Sequence, residues 1–99
     1  MRTVTVLEPA KADAAECSSF YERQEPGAGD YFVAHLDAAI VELAAFPGIH
    51  AKRFGLYRML LTRFHHAIYY REKAHDTVVV AIIDQRRDPK WIRRQLRTR

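Results

Sequence analysis

The chain has 99 residues, of which 48% are hydrophobic and 28% charged, a length and composition typical of one small globular domain, 1–99. No apolar run reaches the roughly 18 residues that indicate a membrane helix, and the N-terminus lacks the apolar core of a secretory signal. These exclusions predict a cytoplasmic protein with no membrane partner. The single Cys17 has no internal disulfide partner and is expected to be a small packing residue in a helix.

The net charge of +4 hides an asymmetry between the two halves of the chain. Residues 1–46 carry three Lys and Arg against eight acids, which gives −5. Residues 47–99 carry thirteen against four, which gives +9, and the two values sum to +4. A strongly basic half creates a local field that favours nucleic acid or an acidic protein as partner.

The N-terminal third predicts one strand followed by one helix. Residues 3–8, TVTVLE, alternate β-branched and apolar side chains, a pattern typical of a strand. Pro9 suits the first turn of a helix. Over residues 9–24, one helical face carries the apolar and aromatic side chains Ala14, Cys17, Phe20 and Tyr21, which indicates an amphipathic helix.

A second helix is predicted after the segment QEPGAGD, residues 24–30. Two glycines and Pro26 indicate a tight turn, and Asp30 or a neighbour is expected to cap the next helix. That helix stops at Phe46-Pro47-Gly48. A short turn makes the two helices an antiparallel hairpin. The apolar face of the second helix has spacings of three and four residues, through Phe32, Leu36, Ile40, Leu43 and Phe46.

The rest of the chain reads as strands and a tail. Residues 56–64, 66–71 and 77–84 predict three strands joined by connections short enough for antiparallel hairpins. The strand 77–84 is apolar on both faces and is expected to be central. Residues 88–99 form a short helix or a tail. The hairpin should cover one face of the sheet, and the other face should be partly open and lined with arginines.

Four segments, taken in order, resemble one known family. They are FYERQEPGAGDYF (20–32), LYRMLLTRF (56–64), HAIYYR (66–71) and VVVAIIDQRRDPKWIRR (78–94). Together they are similar to the RelE/ParE superfamily, bacterial growth-inhibiting toxins of type II toxin–antitoxin modules, and most of all to its ParE-like branch. The resemblance implies an α+β fold in which an N-terminal strand and an antiparallel helical hairpin pack on a small antiparallel β-sheet.

The resemblance also implies partners. ParE-like toxins inhibit DNA gyrase by protein–protein contact and are neutralised by a cognate antitoxin with an acidic toxin-binding segment. The C-terminal region of that branch is implicated in the attack on gyrase, and residues 86–99 of this chain carry seven Lys and Arg against one acid. This interpretation needs no enzyme activity, no cofactor and no metal.

Two departures from the family pattern keep an alternative open. Phe64-His65-His66 stands where the family often has Phe-Pro-Tyr, and Asp84 stands where ParE-like members often have histidine. The alternative is a RelE-like, ribosome-dependent endonuclease of messenger RNA, in which Arg58, Arg63 and Arg87 would stabilise developing phosphate charge. Asp84 counts against it, because a carboxylate repels RNA phosphates. Two further alternatives are a non-toxic relative that only binds its antitoxin and a small RNA-binding domain.

The candidate site residues cluster near the end of the last strand. Arg58 either binds a phosphate or antitoxin carboxylate, or forms a salt bridge with Asp84 or Asp88. Arg63 is expected to point away from Arg58 along a regular strand. Arg87 either caps carbonyls and pairs with Asp88, or contacts the target, and Trp91 either anchors the tail in the core or binds a partner. His66 is a weaker candidate for a general base. The partner-binding candidates are Arg58, Asp84, Arg86, Arg87, Trp91, Arg93 and Arg94.

Overall fold

The elements follow the order predicted from the sequence, with one short strand added. The computed structural model describes residues 2–99, and none of the helices in that range is both long and apolar enough to cross a membrane. The α+β fold is confirmed. Its elements are β1 (Thr3–Val6), α1 (Glu8–Gln24), α2 (Ala28–Ala45), β2 (Lys52–Arg53), β3 (Leu56–Leu60), β4 (His66–Lys73), β5 (Asp76–Asp84) and α3 (Pro89–Arg97).

The five strands form one sheet in the order β1-β5-β4-β3-β2. The four C-terminal strands pair antiparallel, as expected, but β1 pairs parallel with β5 and makes the sheet mixed. A parallel pair needs a long crossover, and the helical hairpin is part of the chain that separates β1 from β5. The strand β5 lies between β1 and β4, and every residue from Thr77 to Ile83 is buried, as its apolar faces predict.

The helical hairpin covers one face of the sheet. Phe32 and Leu43 of α2 are fully buried there with Tyr70 of β4. Phe46, expected in this core, is 61% exposed because α2 ends at Ala45. The turn between the helices is held by the Glu22 carboxylate, which accepts hydrogen bonds from the backbone N–H groups of residues 27 and 29 at 3.1 and 3.0 Å. The N-cap residue of α2 offers no side-chain hydrogen bond. Glu22 therefore caps the start of α2, a role expected of Asp30 or a neighbour.

The opposite face of the sheet is covered more fully than the sequence suggested. Ile92 and Leu96 lie one helical turn apart on α3 and are buried against Tyr69 and Val80. A bulge in the β4–β5 pairing leaves Val80 and Ala81 on this same side of the sheet. The prediction of an open, arginine-lined face is therefore wrong where α3 covers the sheet.

The strand β3 is shorter than predicted. It ends at Leu60, and residues 61–65 form an irregular turn that closes with a hydrogen bond from Leu61 N to His66 O at 3.0 Å. Arg63 is exposed in this turn. The alternation expected between Arg58 and Arg63 is therefore wrong, because Arg63 does not belong to a strand.

One buried ion pair ties three parts of the chain together. The last bond from β1 to β5 is Leu7 N to Val79 O, so the next part of β5 has an open edge. The Asp13 carboxylate of α1 accepts from Ile82 N at 3.0 Å on that edge. The guanidinium of Arg99 pairs with the same carboxylate, and the two side chains are 13% and 17% exposed for Arg99 and Asp13 respectively. Asp13 thus links α1, β5 and the end of the chain.

We expect Asp13→Ala to lower the free energy of unfolding by about 3–5 kcal/mol, because it leaves the largely buried Arg99 guanidinium without its partner. Urea denaturation followed by circular dichroism measures this change. The matched control is Asp37→Ala on the exposed side of α2, which should stay within about 0.5 kcal/mol of wild type. In the double variant with Arg99→Ala, the loss should be smaller than the sum of the two single losses. An additive result would contradict the coupling.

Candidate functional site

The charged segment after β5 is organised around Asp84. Its carboxylate accepts from the Arg86 backbone N–H at 2.9 Å and from the Arg86 guanidinium at 3.0 and 2.7 Å. The hydrogen bonds from the Arg86 side chain are the main reason why the pKa of Asp84 falls to about 2. Asp84 is therefore ionised at neutral pH and neutralised by its neighbour two residues away. The expected salt bridge from Arg58 to Asp84 or Asp88 is absent among residues 2–99.

Contacts between neighbouring residues fix the start of α3. Asp88 is the N-cap and accepts from Lys90 N at 3.0 Å, while Pro89 occupies the first helical turn. Arg87 forms no salt bridge with Asp88 among residues 2–99, so that alternative for Arg87 is wrong. Instead the Arg87 guanidinium stacks on the Trp91 ring at 3.6 Å from its centroid. Trp91 is half-buried against the core beneath α3, so one side of its ring anchors the helix. The ring also stacks with the exposed Arg87 guanidinium.

Arg58 belongs to a hydrogen-bond network beside this segment in which its partners are uncharged. Its guanidinium donates to Gln85 Oε1 at 3.1 Å, and the buried Tyr69 hydroxyl donates to the same oxygen at 3.0 Å. Gln85 in turn donates through Nε2 to Ile83 O at 3.0 Å. Gln85 therefore fixes a half-buried arginine at the end of the sheet. The sequence reasoning missed Gln85, because no pattern connects it to Arg58, 27 residues earlier.

A cleft of about 360 Å³ lies between α1, the end of β5 and α3. Cys17, His66 and Asp84 lie along it with the aromatic side chains of Phe20 and Trp91. Burial, and then the charges of Asp13 and Glu16, raise the pKa of the Cys17 thiol to about 12, which disfavours a reactive thiolate. Cys17 packs against the core beneath the helical hairpin. Burial also lowers the pKa of His66, whose ring lies edge-on to Phe32 with centroids 5.4 Å apart.

The structure places the three nuclease candidates in different surroundings. Arg58 is bonded to Gln85, and Arg87 is stacked on Trp91 beside the cleft. Arg63 lines a separate groove between α2 and β3, together with His35 and Leu60.

The exposed side of α3 is strongly basic. Lys90, Arg93, Arg94 and Arg97 are all exposed on this nine-residue helix, and none pairs with a carboxylate among residues 2–99. Arg93 also lies over the ring of Phe54, 5.4 Å from its centroid. Of the partner-binding candidates, Arg86 and Arg87 precede α3, and Arg93 and Arg94 are exposed in its middle.

The sequence over residues 4–89 matches the family described as the ParE toxin of the type II toxin–antitoxin system parDE. The chain belongs to the ParE toxin family. The resemblance to the RelE/ParE superfamily inferred from its four segments is thereby confirmed. The match ends at the first residue of α3, so most of that helix lies beyond it.

A solved structure shows the same fold as this ParE family member. It is described as the chromosomal ParDE TA system from P. aeruginosa, and the two chains are 18% identical. The TM-score is 0.75, and the similarity covers 85% of this chain and 96% of the other. Among the curated proteins, none matches this chain.

We expect the carboxyl group of Asp84 to titrate near pH 2, and Arg86→Gln to return its midpoint toward the ordinary value of 3.8. Carbon-detected NMR of the side-chain carboxyl group measures both midpoints. Because the folded pKa is depressed, the stability that the pair contributes should be fully present above about pH 4 and lost as the pH falls through about 2. The matched control is Arg23→Gln on α1, which should leave the midpoint unchanged. An equal midpoint in wild type and Arg86→Gln would contradict the assignment.

Proposed function

We propose that this protein is a ParE-like toxin that inhibits DNA gyrase by protein–protein contact in the bacterial cytoplasm and is neutralised by a cognate antitoxin. Membership of the ParE toxin family supports a toxin of a type II module. The observation that carries the gyrase assignment is the exposed, unpaired basic face of α3. Its cations are available to another macromolecule because the protein's own acids do not neutralise them.

The charge distribution supports an acidic antitoxin segment as the neutralising partner. The half of the chain from residue 47 onward carries +9, and the acids of the other half lie mainly on α1 and α2. Like charges repel within this basic half, and an acidic segment laid across it would relieve that repulsion. The exposed cations that we assign to it are Arg87, just before α3, and Arg94, in the middle of α3, neither of which forms a salt bridge among residues 2–99.

The contacts around Asp84 favour inhibition by contact over cleavage of messenger RNA. The Asp84 carboxylate lies at the end of the sheet, where its ion pair with Arg86 leaves no net positive charge to bind a phosphate. Arg58 is bonded to Gln85, whereas Arg63 lines a separate groove between α2 and β3. Cleavage of messenger RNA is therefore the competing outcome in the experiment described next.

The test is gyrase-driven supercoiling of a relaxed plasmid with the purified protein added. We expect inhibition that is reversed by the cognate antitoxin. Arg94→Glu should weaken inhibition by about tenfold, since we expect the reversal of one rim charge to cost about 1.4 kcal/mol of contact energy. The matched control, Arg23→Glu on α1, changes the charge by the same amount and should inhibit like wild type.

Two outcomes would contradict this function. Normal supercoiling at saturating protein would exclude gyrase as the target. Cleavage of messenger RNA on purified ribosomes, abolished by Arg58→Ala in a folded protein, would establish the RelE-like activity instead. Circular dichroism of each variant shows whether a loss of inhibition is a loss of contact or of fold.

A further inference from the structure

A shallow groove of about 450 Å³ runs between α3 and the neighbouring strands β3 and β4, on the side of α3 away from the cleft. Arg71 lines it from β4, and Arg93 and Arg97 line it from adjacent turns of α3. None of the eight residues that line it is acidic. Among residues 2–99, these three arginines form no salt bridge. The groove therefore concentrates positive charge that the protein leaves uncompensated.

Main-chain and aromatic contacts hold these guanidinium groups in place. Arg71 donates from Nη2 to the main-chain oxygen of Arg99 at 3.1 Å. Phe54, held in the turn between β2 and β3 with a φ of 56°, presents its ring to Arg93 and to Arg53, whose guanidinium carbons lie 5.4 and 4.8 Å from the centroid. The aromatic contact orients Arg93 without neutralising it, so its charge remains available to an external anion.

The spacing of charges on α3 indicates which anion. From Lys90 to Arg97 the helix rises about 10 Å and presents four exposed cations. Along that length of its axis, a DNA duplex carries about three phosphates on each strand, at roughly 3.4 Å each. An extended acidic peptide covers the same length with about three residues, and only alternate side chains face the helix. A phosphate backbone therefore matches the density of positive charge better than a peptide does.

We propose that this groove and the adjoining exposed side of α3 bind the phosphate backbone of nucleic acid without reading its sequence. Arginine suits this role because its planar guanidinium binds phosphate oxygens in a bidentate manner and remains charged at all working pH values. The inference goes beyond gyrase inhibition, since it concerns direct contact with the nucleic acid and needs no second protein.

The experiment uses the full chain and a fluorescent duplex DNA of about 20 base pairs with scrambled sequence, titrated at several salt concentrations. The test variant is Arg93→Gln with Arg97→Gln, both on the exposed side of α3. The matched control is Lys11→Gln with Arg23→Gln, both exposed on α1, which removes the same charge elsewhere. All four side chains are exposed, so both variants should fold.

At about 100 mM salt, the test variant should bind at least tenfold more weakly than wild type, and its slope of log affinity against log salt should fall by roughly 1.8. The control should keep the wild-type slope. No DNA binding by wild type at about 50 mM salt would overturn the proposal. Equal loss in both variants would also overturn it, since attraction would then follow net charge alone.

A competition measurement separates nucleic acid from acidic protein. Polyglutamate at the same concentration of negative charge should displace the duplex poorly. Displacement as effective as that by unlabelled DNA would overturn the proposal and make the groove a surface for an acidic chain. Because no gyrase is present, failure here leaves the supercoiling result to stand or fall separately.

Discussion

The carboxylate of Asp13 is the constraint on which the C-terminal part of the fold depends. It accepts from Ile82 N where β1 no longer covers the edge of β5, and it holds the guanidinium of Arg99. Backbone groups at a sheet edge must find a partner, and a side chain from α1 supplies one here. The same carboxylate then fixes the end of the chain, so that α3 is held at both ends. Without this link, the helix would be held by the Asp88 cap and by the packing of Trp91, Ile92 and Leu96.

The helix α3 serves the fold and the surface with different sides. Ile92 and Leu96 are buried under it, while Lys90, Arg93, Arg94 and Arg97 face outward. A helix with four exposed cations and no acid is unfavourable by itself, because like charges on neighbouring turns repel. Burial of its apolar side offsets that repulsion, and the positive charge on its exposed side remains. Most of the helix lies beyond the range that matches the ParE toxin family.

The ion pair between Asp84 and Arg86 makes the end of β5 locally neutral, whereas the exposed side of α3 is positively charged. It neutralises two charges at one point, whereas the cations of α3 remain free. A phosphate would meet a neutralised ion pair at the first place and unpaired guanidinium groups at the second. The proposed contacts of the protein with its partners therefore depend on the outer sides of α3, while the pair closes the strand and leads the chain into the Asp88 cap.

The sequence by itself determined the order of elements, the helical hairpin, the buried strand β5 and the basic end of the chain, because hydrophobic period, turn residues and charge are local properties. It also singled out Asp84, Arg86, Arg87 and Trp91 as one cluster, since they are neighbours along the chain. Only the tertiary structure decided the parallel pairing of β1, the burial of the second sheet face and the partner of each charge. Asp13 and Arg99 are 86 residues apart, and Arg58 and Gln85 are 27 apart. The groove formed by Arg71, Arg93 and Arg97 likewise exists only once α3 packs beside β4, because no sequence pattern records which distant side chains a folded surface brings together.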